Sequence, residues 1–257
     1  MKKKVTFSLL GIVVTLIVLS VVYTMGQNSN KKQDTYIKAK SSKKQVTENL
    51  TDTFQEFAKK GHSVDEMYVT GDIKVNKNSE LKPGIYDMEV TGGSGNIGAY
   101  RSQINAPFIN YLGDSKGSSD NQGNSNSQGP SKIRLILFSD DVLKLRNISK
   151  VKFTAVSTFR TSNQLGQGEY VVGLDIPAGT YKLSTNVKFN PEFENLGWSV
   201  DILGKNEETK SQSYNSSTND VVVKLNDGDI ISTNNNYSGQ TPGIKPDDEK
   251  LTFNKVK

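Results

Sequence analysis

The sequence predicts an all-β ectodomain of two related, small antiparallel β-sandwich-like modules, preceded by one N-terminal transmembrane helix and a short amphipathic helix. Three observations lead to this fold class. A long apolar run follows the N-terminal lysines. From Met67 onward, apolar and polar residues alternate between turns rich in Gly, Pro, Asn and Asp, which is typical of short strands with one wet face. Several segments of the first strand-rich region recur, in the same order, in the second.

The first 25 residues contain three lysines followed by an apolar run from Val5 to Met25. As a helix, this run is long enough to cross a bilayer, which needs about 20 residues. Lysines in a short tail resist translocation, so we expect a single-pass cell-membrane protein with a cytoplasmic N-terminus and an extracellular C-terminal domain. Secretion after cleavage near Gly26 is the alternative, although signal peptides usually carry only about 7 to 15 apolar residues.

A polar spacer and a short helix are predicted behind the anchor. Residues 26–44 contain few apolar groups and are typical of a flexible spacer. Residues 45–62 place apolar side chains at helical spacing, with Gly61 as the stop. These apolar residues are Val46, Leu50, Phe54, Phe57 and Ala58. We expect the helix to pack on the first β module, and a helix lying on the membrane surface is the alternative.

The formal charge of +5 is unevenly distributed along the chain. Residues 1–62 have a balance of +7, whereas residues 63–257 have a balance of −2. The Lys-rich stalk is therefore the part suited to anionic lipid or a wall polymer. The outer region has no basic stripe, so nucleic-acid binding is not predicted. The absence of cysteine excludes disulfides and lipoprotein acylation.

The internal repeat defines two β modules, at residues 63–158 and 164–257. Leu81-Lys-Pro-Gly-Ile-Tyr86 matches Asp175-Ile-Pro-Ala-Gly-Thr-Tyr181, and residues 133–143 match residues 221–231 without a gap. Upstream, Tyr68-Val-Thr-Gly71 matches Tyr170-Val-Val-Gly173. The first module also contains residues 113–131, which include no apolar residue and predict a disordered loop.

The second module contains a distinctive sequence motif at residues 170–181. Tyr170-Val-Val-Gly-Leu-Asp-Ile-Pro-Ala-Gly-Thr-Tyr181, followed by a hydrophobic strand and an Asp-Gly-Asp turn, resembles an uncharacterised repeat module of Gram-positive cell-surface proteins and lipoproteins. The resemblance is best over residues 168–233. The first module departs from it, because Leu81-Lys82 replaces the Asp-Ile pair and the polar loop is inserted. The resemblance implies a surface β module and carries no catalytic residue.

No catalytic, cofactor-binding or metal-binding residue is predicted. With His62 as the single histidine and no cysteine, nucleophilic triads and zinc sites are nearly excluded. Gly92-Gly-Ser-Gly95 precedes no helical segment, so a phosphate-binding loop is not indicated. The acidic run at residues 247–249 is interpreted as solvated. The remaining carboxylates are interpreted as turn residues, namely Asp140, Asp141, Asp227 and Asp229.

Aromatic residues are the better candidates for ligand contact, because they stack on sugars or pack against a protein partner. Trp198 lies in an alternating segment and is expected in the core. The candidates are Tyr100, Tyr111, Trp198, Tyr214 and Tyr237.

These features favour a non-enzymatic, membrane-anchored surface protein that presents two β modules to a cell-wall polymer or a protein partner. The high content of Lys, Asn, Ser and Thr without Cys suits a Gram-positive bacterium. Two alternatives remain open. One is an accessory subunit of a membrane-associated secretion or conjugation machine, and the other is a carboxylate-dependent cell-wall hydrolase.

Overall fold

The computed structural model describes residues 50–101, 109–115, 129–204 and 208–256. The predicted anchor, the spacer and residues 116–128 of the polar loop lie outside the described residues. Among the residues described, no helix combines the length and apolarity needed to cross a membrane.

The described chain is mostly β, which confirms the predicted all-β class. Helix α1 spans Leu50–Ala58, and a single 3₁₀ turn spans Pro246–Asp248. The strands within the described ranges are β1 (Val64–Tyr68), β2 (Ile73–Lys74), β3 (Gly84–Tyr100), β4 (Asn110–Asp114), β5 (Lys132–Leu137), β6 (Val142–Ala155), β7 (Gln164–Leu165), β8 (Gly168–Val171), β9 (Gly179–Thr185), β10 (Gly197–Leu203), β11 (Thr209–Asn215), β12 (Val222–Leu225), β13 (Ile230–Asn235) and β14 (Leu251–Lys255).

The strands form two sheets. The larger follows the order β1-β6-β3-β5-β8-β13-β10-β11, with β2 on β6 and β4 on β3, and the smaller follows β12-β9-β14-β7. Strand pairing is antiparallel except between β5 and β8, which are parallel and meet at Arg134 and Gly168. The larger sheet therefore continues from the first half of the chain into the second.

Two hydrophobic clusters lie in the two halves of the chain. The first draws its buried residues from positions 64–153 and includes Tyr86 and Phe153. The second draws its buried residues from positions 165–253 and includes Trp198 and Phe253. Each half therefore has a core of its own, as the alternating apolar pattern requires.

Long strands β3 and β6 bend together in the first half. The start of β3 pairs with β5, whereas its end pairs with β4. Between these parts, the register with β6 shifts from Val90 to Asn96, and Gly93 has φ 83° while Asn147 on β6 has φ 61°. Bulges and glycines let a strand turn a corner and continue in a second layer. The segment from Gly92 to Gly95 is this corner.

The matched turns of the repeat adopt the same geometry. The Tyr86 hydroxyl donates to the carbonyl of Lys82 at 2.8 Å, and the Tyr181 hydroxyl donates to the carbonyl of Pro177 at 2.7 Å. Each tyrosine ring also packs edge-on against a phenylalanine at a centroid distance of 6.0 Å. The phenylalanines are Phe153 and Phe253.

The acidic turns are equally alike. The Asp141 carboxylate accepts the backbone N–H of Phe138 at 2.9 Å, and the Asp229 carboxylate accepts that of Asn226 at 2.8 Å. The residue before each aspartate has a positive φ, which favours Asp, Asn or Gly. These residues are Asp140 (68°) and Gly228 (82°).

The upstream match between Tyr68 and Tyr170 is wrong. The N–H of Val75 donates to the Asp141 carbonyl at 2.9 Å, and the N–H of Val172 donates to the Asp229 carbonyl at 2.9 Å. Val75 is therefore the structural counterpart of Val172. The shared Tyr-Val-x-Gly pattern predicts the wrong register between the two segments, because apolar and polar residues alternate in both and allow several registers.

Helix α1 packs on the β structure. Its Phe57 ring stacks on Phe138 at a centroid distance of 5.3 Å, and Ala58 is fully buried. The helix spans residues 50–58, a shorter range than the predicted 45–62, of which residues 45–49 lie outside the described part. The polar loop is also shorter than predicted. Gly113 and Asp114 belong to β4 and are buried, and Ser131 is buried as well.

Candidate functional site

A buried ion pair joins the two halves of the chain. Arg101, at the end of β3, donates from Nη1 and Nη2 to the two carboxylate oxygens of Glu169 on β8, at 2.6 and 2.7 Å. Glu169 also accepts the backbone N–H of Ile136 at 2.9 Å. Arg101 lies over the Phe138 ring at 5.7 Å and has Asp141 at 3.4 Å from Nε. The charged groups are therefore removed from water and paired with one another.

A second cross-half arginine lies nearer the surface. Arg134 on β5 contacts both carboxylate oxygens of Asp87 on β3, at 2.8 and 3.1 Å. Its Nη1 also donates to Asp175 in the second half, and its guanidinium lies over the Tyr170 ring at 5.8 Å. Burial raises the pKa of the Asp175 carboxyl, and the Arg134 guanidinium opposes that rise.

Asp247 provides a third connection between the halves. Its carboxylate accepts the N–H of Ser131 at 2.7 Å, the Ser131 hydroxyl at 2.8 Å and the N–H of Lys132 at 3.2 Å. Glu249 is buried and accepts the amide of Asn235 at 2.9 Å. The interpretation of residues 247–249 as a solvated run is therefore wrong for Asp247 and Glu249, whereas Asp248 is exposed. Nonlocal partners, which the local composition does not reveal, satisfy these two carboxylates.

A cleft of about 400 Å³ opens beside these contacts. Both halves contribute to its walls, and Arg134 and Asp175 lie within it. Its character is polar, because only Leu165 and Ile133 supply aliphatic side chains besides two prolines. The other charged lining residues are Asp87, Lys132, Arg160, Asp247 and Lys250.

The predicted ligand-contact aromatics do not meet in one place. None of the five lines the cleft. Tyr111 is buried with its hydroxyl 2.9 Å from that of Ser232, and Trp198 is buried with Nε1 donating to Thr185 at 2.9 Å. Tyr214 and Tyr237 pack against Phe189. Tyr100 lies at the end of β3 and is 59% exposed.

The candidate carboxylates serve the turns in which they lie. Asp141 and Asp229 are buried and accept backbone N–H groups three residues upstream. Asp140 and Asp227 are exposed in the same turns. His62 is exposed behind α1, and its ring contacts the Lys60 carbonyl at 2.9 Å. Within the described ranges, no group of three or more His, Cys, Asp and Glu side chains is placed to hold a metal ion.

The residues that line the cleft were not singled out from the sequence. Arg134, which lines the cleft, lies among apolar residues of β5, and a charge flanked by apolar residues on a strand is the one signal that would have indicated buried pairing. Comparison with known proteins adds no assignment, since no protein-family model, no curated protein and no solved structure matches the chain.

Proposed function

We propose that this chain is a non-enzymatic, membrane-anchored surface protein whose two β modules, at residues 63–158 and 164–257, bind an extracellular ligand in the cleft at their junction. One observation carries the proposal. One buried and one partly exposed ion pair join the two halves beside an open polar cleft that both halves line. A cleft between rigidly joined modules is a common place for a ligand site.

The sequence supports the cellular setting of this proposal. The apolar run from Val5 to Met25 would anchor the chain, and residues 26–44 would hold the modules away from the bilayer. The resemblance to Gram-positive surface modules points the same way. A chain anchored in this way would contact cell-wall polymers first, so a wall polymer is the proposed ligand class.

A steric block tests the proposal without assuming the charge of the ligand. A side chain added at Gly166 enters the cleft, where its nearest neighbours are the Lys250 ammonium at 3.4 Å and the Tyr170 hydroxyl at 3.8 Å. We expect Gly166→Phe in the purified full-length chain to reduce cosedimentation with isolated cell-wall material at least about tenfold, a loss of about 1.4 kcal/mol of binding free energy.

The matched control is Gly71→Phe, because a side chain at Gly71 meets nothing within 4 Å and Gly71 does not line the cleft. This variant should bind as the unmodified chain does. Equal binding by all three proteins would place the ligand site elsewhere. No binding by the unmodified chain to wall material or to surface-protein extracts would contradict the proposed function itself.

A further inference from the structure

The acidic side chains of the cleft have their acceptor oxygens engaged within the protein. Both oxygens of Asp87 accept from Arg134. Asp175 accepts from Arg134 and from the N–H of Val171 at 2.8 Å. Asp247 accepts three hydrogen bonds, as described above. An incoming cation or hydrogen-bond donor would therefore find few free acceptors.

The donors of the cleft are less fully used. Arg160 is exposed and has no hydrogen bond or ion pair within the described ranges. Lys250 donates to the carbonyl of Asp247 at 2.6 Å, which leaves two of its three N–H groups available. Gln167 also lines the cleft but is 5% exposed; its Oε1 accepts the N–H of Asn235 at 3.2 Å, and its Nε2 is closed to solvent, so the accessible donors are those of Arg160 and Lys250.

From this imbalance we infer that the cleft binds the oxyanion groups of a linear anionic polymer, held by Arg160 and Lys250 at its mouth. The inference rests on the proposed function and deepens it by naming the ligand chemistry. A planar guanidinium without a partner offers bidentate donors that match phosphate or carboxylate oxygens.

A neutral glycan fits the cleft less well. Neutral sugars are bound through stacking on exposed aromatic faces, and among the described lining residues Tyr170 is the only aromatic. Its ring already lies under the Arg134 guanidinium at 5.8 Å. The cleft therefore lacks a free stacking surface and instead presents unused cationic donors.

The test compares three soluble polymers of equal length on the full-length chain by calorimetry at low salt. The polymers are poly(glycerol phosphate), poly(glutamate) and neutral dextran. We expect at least one of the charged polymers to bind at least about tenfold more tightly than dextran and to weaken as salt is added. Preference between the two charged polymers assigns phosphodiester or carboxylate as the bound group.

Charge removal locates the binding. Arg160→Gln and Lys250→Gln should each weaken binding of the preferred charged polymer by at least about tenfold, the usual loss for a charge-assisted hydrogen bond. The matched control is Arg146→Gln, since Arg146 is also exposed but lies on β6 and does not line the cleft. It should change binding less than about twofold.

Two results would overturn the inference. Dextran binding as tightly as the charged polymers would show that oxyanions are not the recognised group. Equal losses in the Arg146, Arg160 and Lys250 variants, or no loss in any of them, would assign the attraction to the Lys-rich stalk or to overall charge. The Gly166→Phe result separates these outcomes from failure of the proposed function, because steric blocking does not depend on the charge of the ligand.

Discussion

Arg101 has two carboxylates around one guanidinium. Glu169 engages it through two short hydrogen bonds, and Asp141 lies 3.4 Å from Nε. All three side chains are buried. With one positive and two potentially negative groups, the cluster favours one neutral carboxyl, and Asp141 is the less firmly paired of the two. Burial accordingly raises the pKa of Asp141 to about 6.

Removal of the Glu169 charge should destabilise the protein strongly. We expect Glu169→Gln to lower the free energy of unfolding by about 3 kcal/mol, since breaking a buried pair leaves its partner poorly compensated. Urea unfolding followed by the fluorescence of Trp198, the single tryptophan, measures this change. The control is Glu66→Gln, because Glu66 pairs with Lys150 at the exposed surface and should leave the midpoint nearly unchanged. Equal midpoints for the two variants would contradict the prediction.

Asp141 should also make stability depend on pH. Its pKa is about 6 in the folded protein and near the ordinary 3.8 when unfolded, so the folded state holds the proton more tightly. The stabilisation is complete below pH 3.8 and is lost as the pH rises through about 6. Its size is on the order of 3 kcal/mol. Burial also raises the pKa of Asp175 and Glu249, which act with the same sign.

Asp141→Asn tests this dependence, because the amide oxygen can still accept the N–H of Phe138. Urea midpoints measured between pH 4 and pH 7 should fall less steeply in the variant than in the unmodified chain. An identical slope in the two proteins would show that Asp141 does not titrate in this range.

At the scale of elements, strands β3 and β6 turn the same corner together. In the second half the corresponding positions are occupied by separate strands, with β9 and β10 in place of β3. Gly93 and Gly95 allow β3 to continue through the corner as one strand, because β3 and β6 approach each other too closely there for a side chain. A Cβ at Gly95 would lie 2.0 Å from the carbonyl oxygen of Arg146.

A side chain at this corner should therefore be costly. We expect Gly95→Ala to lower the free energy of unfolding by more than about 2 kcal/mol, since the backbone of β3 or β6 must shift to relieve the contact. Thermal unfolding by circular dichroism measures the loss. Gly71→Ala is the control, because a Cβ at Gly71 meets nothing within 4 Å. A similar melting temperature for both variants would show that the corner adapts freely.

The sequence predicted the strands better than their connections. Period-two alternation identified β5, β10 and β12, and the repeat predicted matching turns at Tyr86 and Tyr181. The corner escaped prediction because Gly92–Gly95 has no side-chain pattern to distinguish a bend from a loop. The cleft escaped it as well, since Arg134 and Asp175 are 41 positions apart and only folding brings them together.

At the scale of the whole molecule, the two halves have separate cores but a shared boundary. Residues 50–257 form one compact unit. At this boundary β5 and β8 meet at Arg134 and Gly168, and charged side chains make recurring links across it. Cooperative unfolding of the two halves should therefore depend on these polar contacts, whereas the stability of each half depends on its hydrophobic core.

Asp247→Ala combined with Arg134→Ala should separate the unfolding of the two halves. The pair removes three hydrogen bonds to Ser131 and Lys132 together with the ion pairs of Arg134 with Asp175 and Asp87, while both hydrophobic clusters stay intact. In the unmodified chain, Trp198 fluorescence and hydrogen exchange of the β3 and β5 amides should report one urea midpoint. In the double variant we expect the two midpoints to differ. Lys224→Ala with Arg146→Ala is the matched control, because both residues are exposed and lie away from the boundary contacts. Coincident midpoints in the double variant would contradict the prediction and show that the remaining contacts, such as Arg101 with Glu169 and Tyr111 with Ser232, suffice to hold the halves together.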